Sequence, residues 1–456
     1  MPHDLHDFFY PGTVALIGAT DTPNKPGRAV LENLSSFQGT VFPVNPKHRE
    51  LLGRRCYATV KDIPGKIDLA IVVVPSTFAE QVMGELRDKG VRRVILVSAG
   101  FAEAGEEGLR RQERIKAMIQ KENIRVIGPN ALGVFNTENG LDSFFVSRQR
   151  VSKSGPGRLS IVSQSGAITV ILTEAMARDG IGIAKAINYG DRIDVDDADA
   201  LDYFADDPKT GAVAMYMESV ADGTKFLRAA KRFASKKPLV IWKAGKYSMG
   251  AAAVISHTAT LAGRYGLYRA AIRQSGAVEA YGFDHMIDAA KAIALMDYSC
   301  MGNKLLIVTN GGGMAVAAAD QAEEEGFLMP RTPEAVRHRL SQAFPPFFVT
   351  NNPIDLTGSG KDEDYYTALK EALPHYDAAV VILLMGATTV TERVTEMVAR
   401  ACHEEQKPVA CCALQGLGYT REAMSALLKQ GIPVYPSPER AVRALAALKK
   451  ASCRRP

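Results

Sequence analysis

Arg158-Leu-Ser-Ile-Val-Ser-Gln-Ser-Gly-Ala-Ile-Thr-Val170 is an apolar run that stops at small polar residues and then resumes. It reads as a strand, a tight turn and the start of a helix. A short apolar run closed by Ser and Gly suits a strand buried on both faces. The pattern returns without gaps in Lys304-Leu-Leu-Ile-Val-Thr-Asn-Gly-Gly-Gly-Met-Ala-Val316. Two more matches follow in the same order: Gly211–Met217 with Ala378–Leu384, and Lys236–Trp242 with Gln406–Cys412. The chain therefore holds two copies of one α/β unit, divided near Met296 to Asn303. Two copies are too few for a solenoid.

Upstream, Thr13-Val-Ala-Leu-Ile-Gly-Ala-Thr20 opens another strand–loop–helix. Further strands are predicted at Thr40–Val44, Leu69–Val74, Arg93–Val97 and Arg125–Ile127, with helices over Phe78–Lys89 and Gly108–Lys121. Strands alternating with helices predict a parallel, doubly wound sheet. Val146–Gly157 is polar and basic with Gly and Pro, and reads as a linker. The expected fold class is α/β, in three domains: 1–145, 155–297 and 302–456.

Ligands of such sheets bind beyond the carboxyl ends of the strands. Those ends carry Gly18-Ala-Thr20, Asn45-Pro-Lys47, Pro75-Ser76, Ser98-Ala-Gly100 and Gly128-Pro-Asn130. Glycines at a helix N-terminus suit a phosphate, and Lys25 and Lys47 add positive charge. An ordinary tight turn with solvated lysines is the competing reading. The dinucleotide fingerprint G-x-G-x-x-G is absent, and no acid ends the second strand to hold a ribose, which counts against a nicotinamide-dependent oxidoreductase.

The two copies differ after their Lys-Pro strands. The first continues into Lys243–Gly263, read as a small-residue loop in which His257 stands between Ser256 and Thr258. The second continues Ala413-Leu-Gln-Gly-Leu-Gly-Tyr419, without histidine. Imidazole suits nucleophilic or proton-transfer work near neutral pH; a hydrogen-bonded loop histidine is the alternative. Ser163-Gln-Ser-Gly166 ends a strand and opens a helix, so its free N–H groups suit an anion, or simply cap the helix. The G-x-S-x-G elbow is missing, so neither serine reads as a hydrolase nucleophile. Glu218 follows an apolar strand and is placed either to orient an imidazole or to be solvated. Asp191, Asp194, Asp196, Asp197 and Asp199 lack the order of a calcium loop. They read as capping, by Asp194 or Asp196, and as solvated acids, so no metal site is expected.

The composition sets the frame. A chain of 456 residues with 46% apolar and 23% charged residues is that of a globular protein of about three domains. Net charge is +5, from 55 basic and 50 acidic residues that are scattered, so no nucleic-acid footprint is expected. No apolar run approaches the roughly 18 residues of a membrane span, and the N-terminus has no secretory pattern. Six cysteines, far apart except Cys411-Cys412, show no metal-ligand spacing. A cytoplasmic protein with reduced thiols is expected.

Together these segments resemble the α subunit of the ADP-forming acyl-CoA synthetases, relatives of the succinyl-CoA synthetase α subunit. The residues that carry the resemblance are Val14–Thr20, Pro43–Lys47, Ser98–Phe101, Gly128–Asn130, Ser163–Gly166, Tyr216–Glu218, Ser256–Ala259 and Asn352–Thr357, in one order along nearly the whole chain. The resemblance implies a Rossmann-like coenzyme A-binding domain followed by two flavodoxin-like domains. It implies the reaction acyl-CoA + ADP + phosphate ⇌ carboxylic acid + CoA + ATP, through an acyl phosphate and a phosphohistidine. His257 then matches the phosphorylated residue, Glu218 its orienting carboxylate, and Ser163, Gln164, Ser165 and Gly166 the phosphate cradle. Gly18, Thr20, Lys25, Lys47, Pro75, Ser98 and Asn130 match the coenzyme A site. ADP/ATP and Mg2+ are expected on a separate ATP-grasp β subunit, in a hetero-oligomer such as α2β2, since nothing after residue 300 resembles an ATP-grasp domain. A CoA-binding or regulatory module without activity is the alternative of a different class. Two positions depart from the family pattern: Gly190-Asp191, where Gly-Asn is usual, and Gly311-Gly-Gly-Met314, where Gly-Pro-Gly is often found.

Overall fold

The computed structural model describes residues 4–258, 263–296, 300–415 and 417–452, without the side chains of 255–258, 417 and 419. The chain divides between Glu279 and Ala280 into two units. In the first unit, β1 (Thr13–Ile17), β2 (Thr40–Val44), β3 (Leu69–Val72), β4 (Arg93–Leu96) and β5 (Arg125–Ile127) form a parallel sheet in the order β2-β1-β3-β4-β5. Side chains alternate between its faces. Val14, Leu16, Leu69 and Ile71 enter one core, while Ala15, Ile17, Ala70 and Val72 enter another. Both faces are covered, so these strands read as unbroken apolar runs. Each large aliphatic side chain buried there stabilises the fold by about 1.5–3 kcal/mol.

The second sheet contains β8 (Pro156–Ser163), β9 (Ile183–Asn188), β10 (Ala212–Met217), β11 (Leu239–Lys243) and β12 (Val278–Glu279). Its order is β12-β11-β10-β8-β9, extended by β6 (Gly133–Asn136) and β7 (Leu141–Asp142). β6 lies antiparallel to β9, with Lys185 opposite Asn136 and Asn188 opposite Gly133. The segment that follows the first sheet is thus stitched to the edge of the second.

The second unit holds β13 (Leu305–Thr309), β14 (Ile354–Asp355), β15 (Ala378–Leu384), β16 (Val409–Leu414) and β17 (Val434–Tyr435), in the order β14-β13-β15-β16-β17. The helix Phe283–Leu295 belongs to this unit and packs on the helix Pro438–Ser452. There Arg440 Nε and Nη2 donate to the two oxygens of Asp288, at 2.6 and 2.9 Å. Both five-strand sheets, and the five parallel strands β8–β12 of the seven-strand sheet, wind 2-1-3-4-5, the flavodoxin-like order. No described helix is long and apolar enough to cross a membrane.

The internal repeat shares the register of its central strand pair. Leu159 is opposite Ala212, and Leu305 is opposite Ala378. Ala212 and Ala378 are therefore equivalent, one residue from the end-to-end match of the two segments. Glu218 then corresponds to Leu384. The cross-links agree: Gln164 Oε1 accepts from Glu218 N at 3.0 Å, and Asn310 Oδ1 accepts from Leu384 N at 2.9 Å.

The stretch read as a loop around His257 differs in the structure. After Gly245, at φ +74°, the chain forms the helix Ser248–Thr258. The small residues are chiefly alanines (Ala251, Ala252, Ala253), and alanine is the best helix former.

Candidate functional site

Two clefts open at the carboxyl ends of the strands of the first unit. The first, of about 770 Å³, lies beyond β1, β2 and β3, where the strand order reverses. Gly18, Thr20, Lys25, Lys47 and Pro75 all line it. Gly18 has φ +90°, and a Cβ there would stand 2.5 Å from Val73 O. A Cβ on Gly27 would overlap the Gly18 carbonyl. The helix α1 (Pro26–Asn33) therefore starts in direct backbone contact with the β1 turn. Asn45 ties the ends of β1 and β2 together: its Nδ2 donates to Ala19 O at 2.8 Å, and its Oδ1 accepts from Lys47 N at 2.9 Å. This amide stands where a ribose-binding enzyme would place an acid. The exposed lysines Lys25 and Lys47 lie beside a helix start, and the exposed Phe78 ring is on the wall. This set of groups fits a phosphorylated nucleotide: cations for phosphate and an aromatic face for a base.

Ser98 and Asn130 do not line that cleft. The Ser98 hydroxyl donates to Val74 O, and Ser98 O accepts from Asn130 N at 2.9 Å. Asn130, at φ +55°, lines the second cleft instead.

The second cleft, of about 520 Å³, is lined by Asn130, Gln164, Ser165, Gly166, Asp191 and Glu218. Ser165 is the N-cap of α2 (Gly166–Arg178), its Oγ accepting from Ile168 N at 3.4 Å. A Cβ on Gly166 would stand 3.3 Å from Leu132, so the helix start is closely packed. Ser163 is buried outside the cleft, and its hydroxyl donates to Ser165 O at 2.8 Å. Its part is to shape the turn. Asn188, which the sequence reading missed, does the same from β9. Its Nδ2 donates to Ser163 O and Gln164 O at 2.9 and 3.0 Å, and its Oδ1 accepts from Leu132 N at 2.7 Å. The available signal was an amide closing a mostly apolar strand.

Glu218 is 5% exposed. Tyr216 Oη donates to its Oε1 at 3.1 Å, while Oε2 is buried without a partner. Asp191 Oδ2 is also buried and unpartnered. Burial pushes the Asp191 carboxyl up to about 7; the charges of Glu103 and Glu218 add to this, and Asn130 and Arg192 oppose it. Behind Glu218, at the end of β11, Lys243 is drawn down to about 8 by burial, against the pull of Glu218. Its Nζ sits 4.5 Å from the Tyr268 ring centre.

His257 belongs to the helix Ser248–Thr258, which follows β11. β11 is the direct neighbour of β10, with Met217 opposite Lys243. The helix also lies against the turn Ala102–Ala104 of the first sheet's loops. The imidazole itself is outside the described residues.

Three of the five clustered acids, Asp194, Asp196 and Asp199, are spent on structure. Asp196 caps the helix Asp197–Asp206 in a reciprocal capping box with Asp199. Lys225 Nζ bridges Asp196 and Asp199 at 2.9 and 2.7 Å. Asp194 accepts from Arg125 Nε at 2.9 Å and from Val126 N at 2.7 Å.

The second cleft thus offers a helix N-terminus with free N–H groups, and a buried carboxylate oxygen with no donor. The first arrangement holds an anion and the second accepts an N–H.

Comparison with known proteins agrees in every part of the chain. Residues 12–137 match the CoA binding domain model, residues 156–293 the succinyl-CoA ligase like flavodoxin domain, and residues 305–454 the Ligase-CoA domain. The chain is 38% identical to the acetate–CoA ligase [ADP-forming] I subunit alpha of Pyrococcus furiosus, over 98% of this chain and 97% of that protein. It is 37% identical to the acetate–CoA ligase [ADP-forming] I of Archaeoglobus fulgidus, over 97% of this chain but 63% of that longer protein. Among solved structures it is similar to the dinucleotide forming acetyl-coenzyme A synthetase 1 of Ca. Korarchaeum cryptofilum in complex with phosphate and ADP. The TM-score is 0.91 at 34% identity, covering 98% of this chain and 97% of that one.

Proposed function

The chain belongs to the family of ADP-forming acyl-CoA ligase α subunits, and from that premise we propose that its second cleft generates and transfers a phosphoryl group by way of His257. The overall reaction of the family converts acyl-CoA, ADP and phosphate to carboxylic acid, CoA and ATP. In the proposed course, the first cleft holds CoA, with Lys25 and Lys47 against its phosphates and Phe78 beside its base. Phosphate sits at the turn Gln164–Gly166 and attacks the thioester carbonyl. The C–S bond breaks, CoA leaves as the thiol, and an acyl phosphate remains.

The His257 imidazole then attacks the phosphorus. The acyl carboxylate leaves with the P–O bond electrons, and the phosphoryl group stays on the ring. Glu218 Oε2 accepts the N–H of the other ring nitrogen, which fixes the tautomer and supports the positive charge that develops on the ring. The N–H groups at the start of α2 stabilise the phosphoryl oxygens. Of the domains 1–145, 155–297 and 302–456, the first binds CoA and the second transfers phosphate, although its last helix, Phe283–Leu295, packs with the third. An ATP-grasp partner subunit holds ADP and Mg2+ and receives the phosphoryl group.

One observation carries this course: a buried carboxylate oxygen without a donor, in the same cleft as a helix start, on the strand next to the one that leads to His257. The test is mass spectrometry after incubation with acyl-CoA and phosphate. The expected result is an acid-labile phosphate on His257 that is lost in His257→Ala. CoA release with His257 unmodified would overturn the course. Full ATP synthesis by this chain alone would overturn the division between subunits.

A further inference from the structure

We propose that the second cleft is shaped for an uncharged acyl group larger than acetyl, with Leu132, Phe145, Val146, Val170 and Ile171 as its hydrocarbon wall. This rests on the phosphoryl-transfer reading of the same cleft. The five side chains come from three separate segments and line the same cleft as Gln164 and Glu218. Phe145 is 39% exposed and Ile171 42% exposed, so large apolar surface faces the open cleft. A site that keeps such surface exposed gains from a ligand that covers it. An acetyl group has one methyl and would cover little of the wall.

The wall also has the right spacing. Val170 lies four residues beyond Gly166 on α2, about 6 Å further along the helix axis. An acyl group whose carbonyl meets phosphate at the turn therefore runs along α2 over a span of several carbon atoms.

Charge selects in the same direction. The charged residues that line the cleft are Asp191 and Glu218, each with a buried oxygen lacking a partner. No Lys or Arg lines it among the described residues. Arg192 is held by Ser219 Oγ at 2.6 Å and Gln164 Oε1 at 3.4 Å. The distal carboxylate of a dicarboxylic acyl group would meet two acids and no cation.

The experiment uses the full chain with its nucleotide-binding partner and reads CoA release from acetyl-, butanoyl-, phenylacetyl- and succinyl-CoA. Butanoyl- and phenylacetyl-CoA are expected to exceed acetyl-CoA in kcat/KM by about 10-fold or more, with succinyl-CoA the poorest. Phe145→Ala and Ile171→Ala, at part-exposed positions, should each lower kcat/KM for phenylacetyl-CoA by about 10-fold and leave acetyl-CoA within about two-fold. Preference for acetyl- or succinyl-CoA overturns the inference while the function stands. So does an equal loss for all four thioesters, which would assign the wall to the CoA arm. If no thioester is turned over and His257 stays unmarked, the functional reading falls first.

Discussion

Glu218 has one carboxylate oxygen bonded to Tyr216 Oη and one with no donor, and the asymmetry defines its chemistry. An orphaned buried acceptor costs about 1–3 kcal/mol, which is recovered when an N–H arrives. Glu218→Gln keeps the shape and removes the charge. Phosphorylation of His257 in a single turnover with radiolabelled phosphate is expected to slow by about 100-fold or more. An unchanged rate would make Glu218 a structural residue. The sequence places a carboxylate at the end of β10, because the apolar run stops there. Whether it is solvated or buried depends on Gln164, Ser219 and Tyr216, which meet it only in the folded sheet.

At the scale of elements, the turn–helix junctions are held by close backbone contact. Gly27→Ala puts a methyl into the Gly18 carbonyl, so α1 must move off β1. A loss of about 2 kcal/mol or more and weaker CoA binding are expected, read by thermal unfolding and calorimetry. Gly84, inside the helix Ser76–Asp88, has nothing within 4 Å of an added Cβ. Gly84→Ala is therefore expected to stabilise by about 0.5–1 kcal/mol and to leave CoA binding unchanged. Equal effects at the two glycines would refute the contact argument. The strands were legible because burial on both faces leaves unbroken apolar runs. The helix carrying His257 was not, because a string of Ala and Gly is equally compatible with a loop until its ends are placed.

Over the whole molecule, burial sets a pH dependence. Asp197 is 1% exposed, and burial pushes it up to about 7, with Asp196 adding and Arg192 opposing. Its ordinary value is near 4, so between about pH 4 and 7 the folded chain holds more protons than the unfolded chain. Stability then falls as pH rises through that window and levels off above it. Asp191, also raised to about 7, acts in the same sense. Asp197→Asn is expected to flatten the fall, by on the order of 2–4 kcal/mol between pH 5 and pH 8 in urea unfolding. A slope equal to that of the parent chain would show that Asp197 is not the titrating group.

The sequence by itself determined the strand–turn–helix repeat, the duplication and the residues at the strand ends. Those depend on local spacing and on which runs must be buried. Tertiary structure alone decided what those residues meet. It placed Asn130 in the cleft of Gln164 and Glu218 rather than beside Lys25 and Lys47, and turned Ser163 inward. It left one oxygen each of Asp191 and Glu218 without a partner, and made Glu218 equivalent to Leu384 in the second copy. Both copies keep an amide, Gln164 or Asn310, that clamps the next strand, because the fold needs it. Only the first keeps the acid. A hydrogen bond between residues 54 positions apart leaves no periodic trace in the sequence, so pairing, burial and chemistry emerge only when the sheet closes.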